Sequence, residues 1–390
     1  MPFAAGLSTA PTTDAALLDV CSLVRKQLDG PPDLAVLFFS VHHLDNTEEI
    51  VASVRERLAP RCLIGSVGES IVGNDREIER GPALSLWGAK WSRPVEIGTF
   101  HLVLERTSEG ASLLGWPDAL VEARPKQSAI LLLGDPFTLP VDFFLEQLNE
   151  SHPGLPVLGG MASGIREPGQ CRLLRDDAVY SDGGVGVLLQ GEVGLRGIVS
   201  QGCRPIGKHM VITKADANII EGLGGKAPLE QLQQLWEELT REEQQLFQQG
   251  LHIGRVINEY RGEFQRGDFL VRNVLGLDRT SGALAITERV RVGQTVQFHV
   301  RDAATADEDL HALLKQDVKG HERRPGGALL FTCNGRGTRL FPEAHHDAGV
   351  LRQEAGPIPV AGFFAQGELG PVGGQNFIHG FTASIALFEE

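Results

Sequence analysis

Short apolar runs separated by amphipathic stretches dominate the chain, and their order repeats. "DLAVLFFS" (33 to 40) reads as a buried strand and "NTEEIVASVRERL" (46 to 58) as an amphipathic helix; "CLIGSVGESIVG" (62 to 73) follows as a strand that ends in a glycine turn. The same succession returns as "SAILLLGDPF" (128 to 137), "PVDFFLEQLNES" and "PVLGGMASGI" (156 to 165). It returns again as "GALLFTCNGRG" (327 to 337), a helix near "EAHHDAGVLRQ", and "PVAGFFAQGELG". Each copy adds a further strand, at "PALSLWGAKW" (82 to 91), "GGVGVLLQG" (183 to 191) and "GFTASIALF" (380 to 388). Strands alternating with helices predict an α/β fold of layered sheets, built from three related strand-helix-strand-strand units. Glycine turns at Gly65 to Gly68, Gly159 to Gly164 and Gly367 to Gly370 are expected at equivalent places, lining one crevice beyond the strand ends.

Between the second and third copies the pattern changes. "PLEQLQQLWEELTREEQQLFQQ" (228 to 249) spaces Leu229, Leu232, Leu235, Trp236, Leu239 and Leu246 on one helical face, with Glu237, Glu238, Glu242 and Glu243 opposite. That stripe packs over a sheet or meets a partner. Strand-like "HIGRVI", "FLVRNVLGLD", "GALAI" and "TVQFHV" follow; then Thr305 and Glu308 of "TADE" form a capping-box pattern before another helix. This strand-rich and helical segment is read as an insertion in the C-terminal half. The Gly/Pro cluster "GLGGKAP" (222 to 228) places a boundary between domains 1–225 and 226–390.

Composition narrows the function. At 390 residues, 42% hydrophobic and 22% charged, the chain is an ordinary globular protein with room for a large core. A net charge of -14 argues against nucleic acid as the main partner, because phosphate binding needs clustered Lys and Arg. No apolar run is long enough to predict membrane insertion. Five dispersed cysteines, with no C-x-x-C pair, suit a reducing cytoplasm and give no zinc motif. The adjacent pairs His42-His43 and His345-His346 point to different sides and predict no metal site. Neither a P-loop, a G-x-S-x-G elbow nor H-E-x-x-H occurs, so no cofactor is called.

Taken together, "DLAVLFFS", "GSVGES", "LPVLGGMASG" and "SQGCRPIGKHMVITKADANIIEGLGGKAPLEQL", with "LFTCNGRG" and "PVAGFFAQGELGPVGGQNFIHGFTASIALF", resemble the FIST sensory proteins, with FIST N and FIST C regions in tandem. Members more often carry Asn where this chain has Gly380 after His379. The resemblance implies a cytoplasmic sensor of small ligands in signal transduction, with amino acids the proposed class and no known catalytic reaction. Output modules fused to relatives find no room here, so a separate signalling output protein is expected.

An amino acid needs a cation or N–H groups for its carboxylate and acceptors for its ammonium. Arg336 offers a bidentate fork and Glu368 an acceptor among glycines. Candidate ligand-binding residues are therefore Glu368, Arg336, Asn334, Gly367 and His379 in the third copy, with Glu69, Ser70, Ser66 and Ser163 in the others. The competing assignments are an Arg336–Glu368 ion pair bracing two turns, and serines that cap turns. Cys333 beside Arg336 opens an alternative, an enzyme using a reactive thiol for acyl transfer or redox chemistry, although a cysteine closing an apolar strand commonly serves as a small buried hydrophobe. A haem sensor using His379 is the other alternative.

Overall fold

The computed structural model describes residues 2–108, 110–264 and 267–389. It is a mixed α/β structure that divides into two compact units. One comprises residues 1–199, 310–378 and 382–390; the other, residues 200–309 and 379–381.

In the larger unit each copy of the repeat forms the centre of its own sheet. The first strand pairs in parallel with the second, as Leu34–Ser40 with Cys62–Gly68, Ser128–Gly134 with Val157–Met161, and Pro325–Cys333 with Val360–Ala365. On its other side the first strand pairs antiparallel with the last strand of its copy: Leu84–Ala89, Gly184–Gly191 and Thr382–Glu389 respectively. The intervening helices Thr47–Leu58, Val141–Ser151 and His346–Ala355 supply the crossovers that a parallel pair requires. Strands of seven to nine residues with hardly an exposed position are buried on both faces, which is why they read as continuous apolar runs.

After its second strand, each copy sends a short hairpin into the sheet of another copy. The first copy's hairpin, Ile71–Gly73 with Arg76–Ile78, adds to the third sheet; the second copy's, Leu173–Arg175 with Ala178–Tyr180, adds to the first; the third copy's, Glu368–Val372 with Gln375–His379, adds to the second. The exchange is cyclic. Because every sheet is completed by a strand from elsewhere, the three copies interlock, and one apolar cluster draws residues from all three. Phe38, Phe331 and Phe363 meet in it, with ring centroids 5.0 to 6.0 Å apart.

Register defines which residues correspond. Val72, Leu174 and Leu369 lie opposite Gly362, Gly65 and Gly159. A Cβ at Gly362 would sit 1.8 Å from the Leu330 carbonyl oxygen, and one at Gly159 1.9 Å from that of Leu132. Glycine is required there by close approach between parallel strands. One position earlier in the hairpins stand Ile71, Leu173 and Glu368. The third hairpin thus has a carboxyl group where its counterparts have buried aliphatic side chains, and Glu69 lies two positions before that register.

The smaller unit is a closed six-stranded barrel in the order Cys203–Asp216, Ile219–Leu223, Leu284–Ile286, Phe269–Leu277, Leu251–Val256, Thr295–Arg301. Its first two strands precede residue 226 in sequence and close against strands that follow it. The stretch 228 to 249 breaks into two helices, Pro228–Glu238 and Arg241–Gln249, because Thr240 and Glu243 form a reciprocal capping box that starts the second. At "TADE" the helix Ala303–Gly320 begins earlier than expected. The Asp302 carboxylate there accepts from Thr305 N, so Asp302 and not Thr305 serves as the cap.

Candidate functional site

The last residues of Pro325–Cys333 and the turn after it carry Thr332, Cys333, Asn334 and Arg336. Arg336 is fully buried. Its Nε and Nη2 each donate to an Asp347 carboxylate oxygen at 2.7 Å, in a bidentate fork. Asp347 stands in the first turn of His346–Ala355 and also accepts from the Thr332 hydroxyl and pairs with His346 Nδ1 at 2.9 Å. Burial alone would favour the neutral acid, but the guanidinium charge, its hydrogen bonds and His346 hold the Asp347 carboxyl well below the usual range. The Arg336 guanidinium also lies over Phe341, 5.2 Å from the ring centroid.

Two further acids border this pair, and both are shifted the other way. Glu77 arrives on the hairpin donated by the first copy; its Oε1 accepts from Ala348 N at 2.9 Å. Burial and the Asp347 charge push its carboxyl up to about 8, with Ala348 N and Arg336 pulling down. Glu368 has no exposed surface, and its Oε2 accepts from Thr382 N at 3.2 Å and Thr382 Oγ1 at 2.8 Å. Burial pushes it to about 8 against the lowering effects of Thr382, the Cys333 thiol and Arg336. Both acids are therefore mainly protonated at neutral pH.

What stands out is a set of buried atoms that lack hydrogen-bond partners of good geometry: Glu77 Oε2, Asn334 Oδ1, Arg336 Nη1 and Glu368 Oε1. The two glutamates both feel the Arg336 charge, and Asn334 belongs to the same turn. An unpaired buried polar atom costs on the order of 1–3 kcal/mol, so an unpaired Arg336 Nη1 with three unpaired oxygens on residues of its neighbourhood is costly to leave unmet.

The other sequence candidates fall elsewhere. The turns do come together: Phe364 N donates to Ser70 O at 2.9 Å, Met161 N to Gly367 O at 2.8 Å, and Gln366 N to Met161 O at 3.0 Å. Within this knot Ser163 Oγ donates to Phe364 O and accepts from Glu69 N at 2.8 Å, whereas Ser66 Oγ donates to Val67 O at 3.0 Å. These hydroxyls have backbone partners. The half-exposed Glu69 carboxylate accepts from Arg339. Cys333 Sγ accepts from Gly335 N at 3.4 Å. His379 is buried at the end of the strand Gln375–His379. Asp347, Glu77 and Thr382 were not singled out in the sequence. The signal for Asp347 was an acid at the predicted start of a helix; for Glu77 there was none, because the hairpin exchange that brings it in leaves no local pattern.

Among the described residues no group of three or more His, Cys, Asp and Glu side chains is placed to hold a metal ion, and no helix is long and apolar enough to cross a membrane.

The chain thus folds into layered sheets built from a threefold-repeated unit, with a buried polar cluster at the turn after Pro325–Cys333. The FIST N domain model matches residues 33–226 and the FIST C domain model residues 228–371, so the chain belongs to the FIST family, whose domains are associated with sensory signal transduction. An uncharacterized protein of Mycobacterium tuberculosis is 44% identical over 389 residues, covering 100% of both chains. Another, of Mycobacterium bovis, is 42% identical over 389 residues, covering 100% of this chain and 99% of its own.

Proposed function

We propose that this protein is a cytoplasmic sensory protein that binds a small zwitterionic metabolite, an amino acid or a close relative, at the Arg336 cluster and signals to a separate output protein. The observation that carries this reading is the unpaired Arg336 Nη1 together with unpaired oxygens on Glu77, Asn334 and Glu368. They comprise the Arg336 Nη1 donor, the Asn334 amide oxygen and one carboxyl oxygen each on Glu77 and Glu368. A ligand with a carboxylate and an ammonium is complementary to that mixture. Arg336 does not act as a free clamp, because Asp347 occupies its fork; its contribution to a ligand carboxylate is the single remaining edge. Glu368 receives the ammonium and gives up its proton when it does so.

A thermal-shift screen across amino acids and related metabolites tests the proposal. At a free ligand concentration about 100 times Kd the stabilisation is roughly 2.7 kcal/mol, which for a chain of this length raises Tm by roughly 3–5 °C. Asn334→Ala is expected to remove that shift, since it deletes an unpaired acceptor. A ligand that shifts wild type and Asn334→Ala equally binds elsewhere, and a screen in which no ammonium-bearing compound shifts Tm refutes the ligand class.

Cys333 is assigned a packing and hydrogen-bonding role in this reading. Cys333→Ser keeps a small group able to serve Glu368, and ligand affinity measured by calorimetry is expected to stay within about threefold of wild type, less than 1 kcal/mol. Complete loss of a demonstrated turnover in this variant, with folding intact, would establish a thiol enzyme instead.

A further inference from the structure

The barrel unit carries an apolar groove of about 510 Å3 that the cluster at Arg336 does not involve. Leu229, Leu232 and Trp236 line it from one helix and Phe247 from the next, with Leu251, Val274 and Leu277 on the barrel wall. Trp236, Phe247, Leu251, Val274 and Leu277 are all left half-buried. The helix Arg241–Gln249 buries no residue at all. It is held by its capping box, by a Trp236–Phe247 ring contact at 5.4 Å and by an Arg204–Glu243 ion pair at 3.0 Å. A helix that closes a groove without burying any of its own side chains leaves that flank short of apolar cover.

We propose that this groove docks an amphipathic helix of a partner protein, with lysines or arginines beside its apolar face. Three observations select that occupant. The barrel is closed, so it offers no free edge on which an extended peptide could add as a strand; helix-in-groove recognition remains. The lining is apolar apart from Gln233 and Glu237, both exposed, so it lacks the convergent buried polar groups that orient small ligands. The surroundings are acidic: Glu237 lines the groove, and the two helices over residues 228 to 249 contain five glutamates and one arginine, a net charge of -4. A basic flank on the incoming helix complements that charge and accelerates encounter. This inference is independent of what binds at Arg336.

The test uses the full chain and a synthetic amphipathic peptide with Leu at i, i+3, i+4 and i+7 and Lys on both flanks, read by fluorescence anisotropy. Saturable one-to-one binding is expected, weakened at least about tenfold when Glu replaces Lys in the peptide. Glu237→Lys combined with Glu242→Lys should invert that preference, and Gln233→Trp, which fills the groove from an exposed position, should abolish binding of the basic peptide. Equal binding of both peptides, or binding untouched by Gln233→Trp, overturns the proposal. So does self-association of the protein that Gln233→Trp disrupts, which would give the groove to a second copy. Binding of a long-chain fatty acid without any binding of the basic peptide would give it to an acyl chain.

Discussion

Arg336→Ala is expected to destabilise the protein by about 3–5 kcal/mol, because it leaves the Asp347 carboxylate buried without its countercharge. The pair is wholly internal: both side chains are essentially unexposed and two 2.7 Å hydrogen bonds join them. Desolvating two ions is costly, and only the fork geometry and the additional donors from Thr332 and His346 offset that cost. Asp347 should also make stability sensitive to acid. Its folded-state value is depressed, so its contribution is complete above the ordinary aspartate range and is lost as pH falls toward the folded value. Urea denaturation of Arg336→Ala, Asp347→Ala and the double variant Arg336→Met with Asp347→Leu measures the coupling. Each single substitution should cost several kcal/mol, and the apolar double variant should recover at least half of that loss. A cost below about 1 kcal/mol for Arg336→Ala would show that the guanidinium braces nothing and is available to a ligand through its fork.

How far the sequence announced this architecture depends on the kind of signal. Strands such as Leu34–Ser40 and Pro325–Cys333 are long apolar runs, and the helices between them show a 3.6-residue period, so the threefold unit was visible as a repeat. The exchanged hairpins were not. Ile71–Gly73 and Leu173–Arg175 are three residues long, too short for a period, and the sheet each joins belongs to another copy far away in sequence, so no local pattern announces it. The same limitation shows in the barrel, where Cys203–Asp216 lies before the Gly/Pro cluster at 222 to 228, Ile219–Leu223 runs into it, and both close against strands that follow it.

The candidate site divides in the same way. Arg336 and Glu368 stood out because a charged residue between glycines and apolar strands is conspicuous. Their partners did not. Asp347 looked like an ordinary first-turn acid, and Thr382 like one polar position in a strand; only the folded arrangement shows that Asp347 fills the fork of Arg336 and that Thr382 donates twice to Glu368. Glu77 comes from a hairpin nearly 260 residues away in sequence from the turn it borders, brought there by the cyclic exchange. The equivalence of Glu368 with Ile71 and Leu173, which shows that a carboxyl group stands where the fold otherwise places aliphatic side chains, requires the pairing register.

That equivalence leads to the second large effect, which is expected as a change in the pH dependence of stability when Glu368 becomes glutamine. The Glu368 carboxyl is raised from an ordinary value near 4.5 to about 8 in the folded protein. A carboxyl raised in this way binds a proton more tightly when folded. Its contribution is therefore greatest below the unfolded-state value and is lost as pH rises through the folded value. Between about pH 5 and 8 the resulting slope approaches about 1.4 kcal/mol of lost stability per pH unit, with Glu77 adding a second contribution of the same sign. Glutamine keeps the size and the acceptor for Thr382 but cannot ionise. Glu368→Gln should therefore gain on wild type progressively across that window and exceed it in stability above pH 8, a crossing readable from urea titrations at pH 6.0 and 8.5. In wild type the same group should make ligand affinity rise with pH until about 8, since capture of an ammonium requires the carboxylate; calorimetry in two buffers of different ionisation enthalpy should register up to one proton released per ligand at pH 6.5. A stability difference between wild type and Glu368→Gln that is constant from pH 6.0 to 8.5 would show that Glu368 is already ionised when buried, and the coupling of binding to proton release would fall with it.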